Sequence, residues 1–247
     1  MVTPAVVFII RNLTPKIMVL TTTMKNSKPT PSARAEPETD CQLCPRLVAF
    51  RRENQHEHPD WFNGAVPSFG PDDAQLLIVG LAPGLRGANR TGRPFTGDYA
   101  GDLLYSTLIE FGYASGSYQA ASNDGLELKN CMITNAVRCL PPQNKPIGVE
   151  INNCSNFLIS RIASLPNLRA VVALGKIAHD SVVRSYRQKL TLHKFRHGAI
   201  HLLSPVTLHD SYHCSRYNTN TRRLTEDMFR DVFRGVSQAL GNDLAPR

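Results

Sequence analysis

Two sets of residues in this chain have types and spacings that could do chemistry. The first is Gly80-Leu-Ala-Pro-Gly-Leu-Arg-Gly-Ala-Asn-Arg-Thr-Gly-Arg-Pro-Phe-Thr-Gly-Asp98, which follows the apolar run Leu76–Val79. An apolar run of that length reads as a buried strand. A polar, glycine-rich loop leaving a strand lies at the carboxyl edge of a sheet, where open α/β proteins bind ligands. Gly84, Gly87, Gly92 and Gly97 let the backbone approach a ligand. Arg86, Arg90 and Arg93 carry the charge that suits phosphates. Asn89 and Phe95 offer an amide and a flat ring for reading and stacking on a base. The second set is cysteine. Cys41 and Cys44 form a CxxC, and Cys139 and Cys154 are separated by fourteen residues that include a proline-rich, rigid segment, Leu140-Pro-Pro-Gln-Asn-Lys-Pro146. Cys154 shares a helical stripe with Ile151, Phe157 and Leu158 and so faces inward. Four such thiolates suit a tetrahedral zinc ion or a [4Fe–4S] cluster. The wide separation of the second pair weakens a zinc-ribbon reading. Cys131 falls in a strand and reads as a core thiol; Cys214, beside His213, reads as site-lining or incidental.

Two shorter polar segments belong with the first set. Asn135 closes a second strand, where an amide can both donate to and accept from the edge of a uracil-like base. Ser211–Thr221 is a polar loop containing His213, and loops held by a rigid scaffold tend to carry function. The other seven histidines read as structural or exposed.

The elements that must position these groups alternate. Strands are expected at Leu76–Gly80, Cys131–Ala136 and Ala170–Leu174, with a hairpin of Ala199–Leu203 and Val206–His209 turning at Ser204-Pro205. Helices are expected at Leu47–Glu53, Gly101–Phe111, Gly148–Ile162, Lys176–Arg184 and Thr221–Leu240. The last carries Leu224, Met228, Val232, Val236 and Leu240 as one apolar stripe. Alternation of this kind implies an α/β fold, a three-layer sandwich around a mostly parallel sheet. The expected domain runs from residue 39 to 242, between a tail at 1–38 and a short one at 243–247.

Composition fits a soluble globular chain: 247 residues, 42% hydrophobic, net charge +8. That charge points to an anionic partner, nucleic acid first. Five of the basic side chains (Arg11, Lys16, Lys25, Lys28, Arg34) lie in an acid-free start, so the remainder is only mildly basic and its binding face must be local. Such a start is too polar to order itself, and it also suits an organelle-targeting segment. Neither Ala5–Ile10 nor Ile17–Leu20 is long enough to span a bilayer. A reducing, cytoplasmic, nucleoid-associated location is expected, with no membrane partner, no obligate protein partner and a monomeric state.

Taken in order, GLAPGLRGANRTGRPFTGD, NAVRCLPPQNKP and SYHCSRYNTNTRRLT, together with the four cysteines, resemble the uracil-DNA glycosylase superfamily, and within it the iron–sulfur type-5 branch. The resemblance covers residues 41 to 240. It implies a four-stranded parallel sheet with the site at the strand carboxyl ends, and a [4Fe–4S] cluster on Cys41, Cys44, Cys139 and Cys154. It implies that Phe95 stacks on a flipped base, that Asn135 bonds its edge, that Ala82 and Gly84 line its pocket and that His213 stabilises charge on its carbonyl. Where other branches place a water-positioning carboxylate or amide near Ala82, Asn89 is the candidate substitute. Arg86, Arg90, Arg216 and Asn218 become candidate DNA contacts. The implied activity is a monofunctional glycosylase acting on uracil, with hypoxanthine and xanthine as further deaminated bases. The competing readings are a weakly catalytic damage-binding relative and a zinc-stabilised nucleic-acid-binding protein. Two positions depart from the family pattern: Cys214 stands where proline is usual, and Arg222 where glycine is common. If that glycine needs positive φ, arginine strains the turn.

Overall fold

The computed structural model describes residues 35–241. The readings of residues 1–34 and of 243–247 fall outside the described residues. The chain runs α1 (Pro45–Glu57), β1 (Leu76–Gly80), α2 (Ala88–Thr91), α3 (Tyr99–Glu110), β2 (Ala114–Ser115), β3 (Glu127–Leu128) and β4 (Cys131–Asn135). It continues through α4 (Gly148–Ser164), β5 (Ala170–Leu174), α5 (Lys176–Ser185), β6 (Ile200–Leu202), β7 (Thr207–Ser211), α6 (Arg216–Asn220) and α7 (Glu226–Leu240).

The main sheet has the order β4-β1-β5-β7-β6. Its first four strands are mutually parallel, and β6 adds an antiparallel edge through the hairpin around the cis Ser204–Pro205 bond. The sheet therefore has five strands rather than four, with the parallel four as expected. β1, β4 and β5 are buried along their whole length, as strands covered on both faces must be. Their side chains alternate between two cores. Leu76, Ile78, Ile133 and Val172 pack with Leu104, Leu108 of α3 and Phe229, Phe233 of α7. Leu77, Val79, Met132 and Val171 pack with Leu158 of α4 and Val182 of α5. A third, smaller cluster gathers Leu47, Ala65, Val137, Cys139 and Cys154, with Cys41 and Cys44 against it.

Three expectations change. The helix expected over Thr221–Leu240 begins only at Glu226: Arg222, at φ 55°, separates it from the short α6, and Thr225 caps α7 by accepting from the Met228 amide at 3.2 Å. Leu224 is buried but precedes α7 rather than lying on it. The domain also begins before residue 39: Glu36 pairs with Arg138 at 3.0 Å and Arg161 at 2.6 Å and accepts from the Ser68 amide.

Candidate active site

β1 and β4 lie side by side and in register, Gly80 opposite Asn135, so their carboxyl ends deliver both residues to one place. A cavity of about 440 Å³ opens there. The loop after β1 gives it Ala82, Gly84, Phe95 and Asp98; β4 gives Asn135; the loop after β7 gives His213 and Arg216. A side chain at position 80 would collide with Asn135 Oδ1 and with the Phe95 ring at 2.6 Å. Only glycine there lets the amide and the ring meet.

Phe95 is held in a left-handed backbone conformation, φ 54°, which costs a non-glycine residue of order 1–3 kcal/mol. The surroundings enforce it. Tyr118 donates to the Phe95 carbonyl at 3.1 Å and accepts from Gly97 N–H at 3.2 Å. Tyr105 donates to the Pro94 carbonyl at 2.6 Å. Arg93 makes a bidentate pair with Asp124, both contacts 2.8 Å, beneath the Phe69 and Tyr105 rings. Arg93 is thus a buried strut of the loop, not the phosphate-facing cation expected from its sequence position. The reason is tertiary: its partner lies 31 residues on, and that pairing holds the Asp124 carboxyl well below the usual carboxylate range.

Asn135 is 3% exposed, and its Oδ1 has no hydrogen-bond partner within the protein. Buried acceptors are nearly always paired, so an orphan at a cavity wall points to a ligand donor. Asp98 presents the same signature. Its Oδ1 is buried and unpaired, and burial raises its carboxyl above the ordinary aspartate value, partly offset by the Gly101 and Ala100 amides. Gly84 and Gly87 make room for this carboxylate, since side chains there would strike Asp98 Oδ2. The sequence reading quoted Asp98 as the end of the loop but gave it no role. The available signal was its place just before α3, where an aspartate is an ordinary cap; the Gly101 and Ala100 amides lie close enough to favour its ionised form, but no cap bond of full geometry forms.

His213 lines the cavity with its ring centroid 5.8 Å from that of Phe95. Burial pushes its imidazole down to about 4, so it is neutral at pH 7. Asn218, expected to contact DNA, instead donates its Nδ2 to the His213 carbonyl at 2.8 Å and fixes the loop. Asn89, expected to position water, does not line the cavity. It is buried and donates to Asn63 Oδ1 at 2.9 Å, because α2 turns its side chain toward the 61–64 segment. Arg216 stands at the mouth with its guanidinium over Tyr99 at 5.2 Å, and Arg86 and Arg90 are exposed on the adjacent loop. Asn144, at φ 55° in the proline-rich segment, also reaches the cavity wall; the segment belongs to the NAVRCLPPQNKP motif, but Asn144 itself had no assigned role. Cys214 is fully buried and donates to the Ala100 carbonyl at 3.4 Å, packing the His213 loop against α3.

The four cysteines converge behind this site. Cys41, Cys44, Cys139, Cys154 and Arg138 share the walls of one small cavity, and all four thiols are free. Burial pushes the Cys139 thiol up to about 12 and Cys154 up to about 11. Thiolates form in such a place only when a cation compensates them.

A parallel sheet with an aromatic ring, an amide oxygen and a carboxylate oxygen left unpaired at one cavity on its carboxyl edge points to a class, and known proteins agree with it. The model of the Uracil DNA glycosylase superfamily matches residues 67–236, and the chain belongs to that superfamily. It is similar to the Type-5 uracil-DNA glycosylase of Thermus thermophilus, 42% identical over 210 residues, covering 82% of this chain and 95% of that one. It is likewise similar to the Type-5 enzymes of Pyrobaculum aerophilum, 36% identical with 82% and 90% covered, and Mycobacterium leprae, 40% identical with 81% and 92% covered.

Proposed function

We propose that this chain is a monofunctional uracil-DNA glycosylase, hydrolysing the bond between uracil and deoxyribose in DNA and so initiating base excision repair. The orphaned Asn135 Oδ1 beside Phe95 carries the reading. Deamination turns a base's ring acceptor and amino group into an N–H and a carbonyl. Asn135 Oδ1 accepts from that N–H, and its Nδ2 donates to the carbonyl. Hypoxanthine and xanthine present the same edge and fall within the proposed range. A base in a duplex is out of reach and must be flipped out at a cost of a few kcal/mol; Phe95 returns part of that by stacking. As the bond breaks, negative charge grows on the base carbonyl, where the neutral His213 ring donates a hydrogen bond, a contribution of about 3 kcal/mol in oxyanion-type sites. Asp98, ionised, holds the attacking water and balances positive charge on the sugar. Arg86, Arg90 and Arg216 engage phosphates.

We assign Cys41, Cys44, Cys139 and Cys154 to a [4Fe–4S] cluster. Among the described residues, the one group of three histidine, cysteine or carboxylate donors gathered within 4.8 Å of one another is His179, His201 and Asp210. No three of the four cysteine sulfurs therefore lie within 4.8 Å of one another, whereas a single zinc ion holds its sulfurs about 3.8 Å apart at a Zn–S bond of about 2.3 Å; that supports a multi-iron core. When bound, the cluster supplies a structural tie between α1, the 139–147 segment and α4. Among the described residues no helix is long and apolar enough to cross a membrane.

The test uses full-length protein purified without oxygen or added metal. It is incubated with duplex DNA carrying one uracil opposite guanine, then treated with alkali. Strand breakage at the uracil is expected. No breakage, from brown and folded protein, overturns the reading.

A further inference from the structure

Two guanidinium groups are buried beside the four cysteines, Arg51 at 6% exposure and Arg138 at 1%. Arg51 Nη1 lies 3.7 Å from Cys139 Sγ, and its Nη2 donates to the Cys41 carbonyl at 3.0 Å. Among the described residues no carboxylate pairs with it. Arg138 donates its backbone N–H to Cys154 Sγ at 3.3 Å, and the residue lines the cysteine cavity. Its terminal nitrogens reach Val66, Ser68 and Glu36, but its Nε–H is buried with no acceptor. Glu36 is shared with Arg161, which also pairs with the exposed Asp72 at 2.8 Å.

Burying a cation costs several kcal/mol unless it is compensated, and neutral thiols compensate nothing. Four thiolates around a [4Fe–4S]²⁺ core carry two net negative charges. The Arg138–Arg161–Glu36–Asp72 group is net neutral, with Arg138 its most buried member and Asp72 at its solvent edge, and Arg51 carries one positive charge that no described carboxylate pairs. We propose that Arg51 and Arg138 are internal counter-charges of the cysteine centre, offsetting part of the charge of a dinegative occupant and setting how firmly it is held and how readily it accepts an electron. This rests on the reading that the four cysteines hold a metal centre.

The test compares R51Q, R51K and E36Q in the full-length, anaerobically purified protein. R51Q keeps a donor toward the Cys41 carbonyl and removes the charge; R51K keeps the charge. E36Q removes a negative charge at the far side of Arg138. The readouts are the visible-absorbance decay rate under chelator and the midpoint potential from a reductive titration. R51Q is expected to lose its chromophore about tenfold faster and to be about tenfold harder to reduce, which for a one-electron couple is about 59 mV more negative. R51K stays near the parent, and E36Q shifts the potential in the positive direction. The opposite signs separate charge from structure, since a merely structural role would shift R51Q and E36Q alike. Equal potentials and decay rates in R51Q and R51K overturn the proposal, as do shifts of one sign in R51Q and E36Q. A colourless protein carrying zinc sinks the cluster assignment alone. The four-thiolate zinc site is also dinegative, so zinc release to chelator then decides: faster in R51Q than in R51K supports the counter-charges, and equal release refutes them.

Discussion

Asn135→Ala separates the binding role of this amide from any role in holding the fold. In the folded protein Asn135 Oδ1 is buried without a partner, and leaving an acceptor in that state costs about 1–3 kcal/mol of desolvation. Alanine removes that penalty and gives up some packing against Gly80 and Phe95, so the net stability change is a gain of about 1 kcal/mol or none. For a domain of this size, 1 kcal/mol moves the melting temperature by about 2–4 °C. Turnover goes the other way. The lost hydrogen bonds to a base accumulating charge are worth about 2.7–4 kcal/mol, a fall of 10²–10³ in rate. Single-turnover cleavage of a uracil-containing duplex and thermal unfolding are measured on the same preparation. The expected result is a protein that melts no lower than the parent and cleaves hundreds of times more slowly. A variant that melts several degrees lower yet cleaves within a few-fold of the parent would refute the argument, because the amide would then be a structural group whose orphaned oxygen has no ligand to meet.

Asp98→Asn should abolish an acid limb in the pH–rate profile. Burial raises the Asp98 carboxyl, so its ionised form, and the activity, decline as pH falls through a value above the ordinary aspartate range. The same raised pKa means the folded state favours the proton, so stability declines as pH rises past the unfolded value; Asp98→Asn should unfold at a higher temperature than the parent at pH 7. A parent profile without that limb, or an Asn variant with full activity, removes Asp98 from the mechanism. Phe95→Ala should weaken substrate holding by about 1–3 kcal/mol, the usual stacking range, read as a rise in KM for a uracil-containing strand; an unchanged KM speaks against stacking. Arg222→Gly should raise the melting temperature by about 2–4 °C, since Arg222 holds φ 55° and relief of such strain is worth about 1 kcal/mol; no rise means the turn is not strained.

Several particulars show how much was legible beforehand. The apolar runs at Leu76–Gly80 and Ala170–Leu174 became strands with those bounds, because continuous burial leaves a local mark in composition. The strain suspected at Arg222 is present as a left-handed residue. Phe95, Asn135, His213, Ala82, Gly84 and Arg216 do meet around one cavity. Local sequence does not choose where a polar side chain has two chemically reasonable partners. Arg93 could face phosphate or a carboxylate, and Asp124 took it. Asn89 could face water or another amide, and Asn63 took it. Asn218 could face DNA or the backbone behind His213.

The sequence by itself determined the layered α/β plan, the loop that follows the first strand and the candidate set of cysteines, since periodicity, glycine placement and residue chemistry are local properties. Tertiary structure alone decided which polar atoms remain unsatisfied. Asn135 Oδ1 and Asp98 Oδ1 are ordinary acceptors in the chain; they become orphans only when β1 and β4 align, Gly80 leaves room and the surrounding loops take every other donor. That accounting is nonlocal, because each buried hydrogen bond excludes another, and it is what separates the residues that hold this site together from those left free to meet a base.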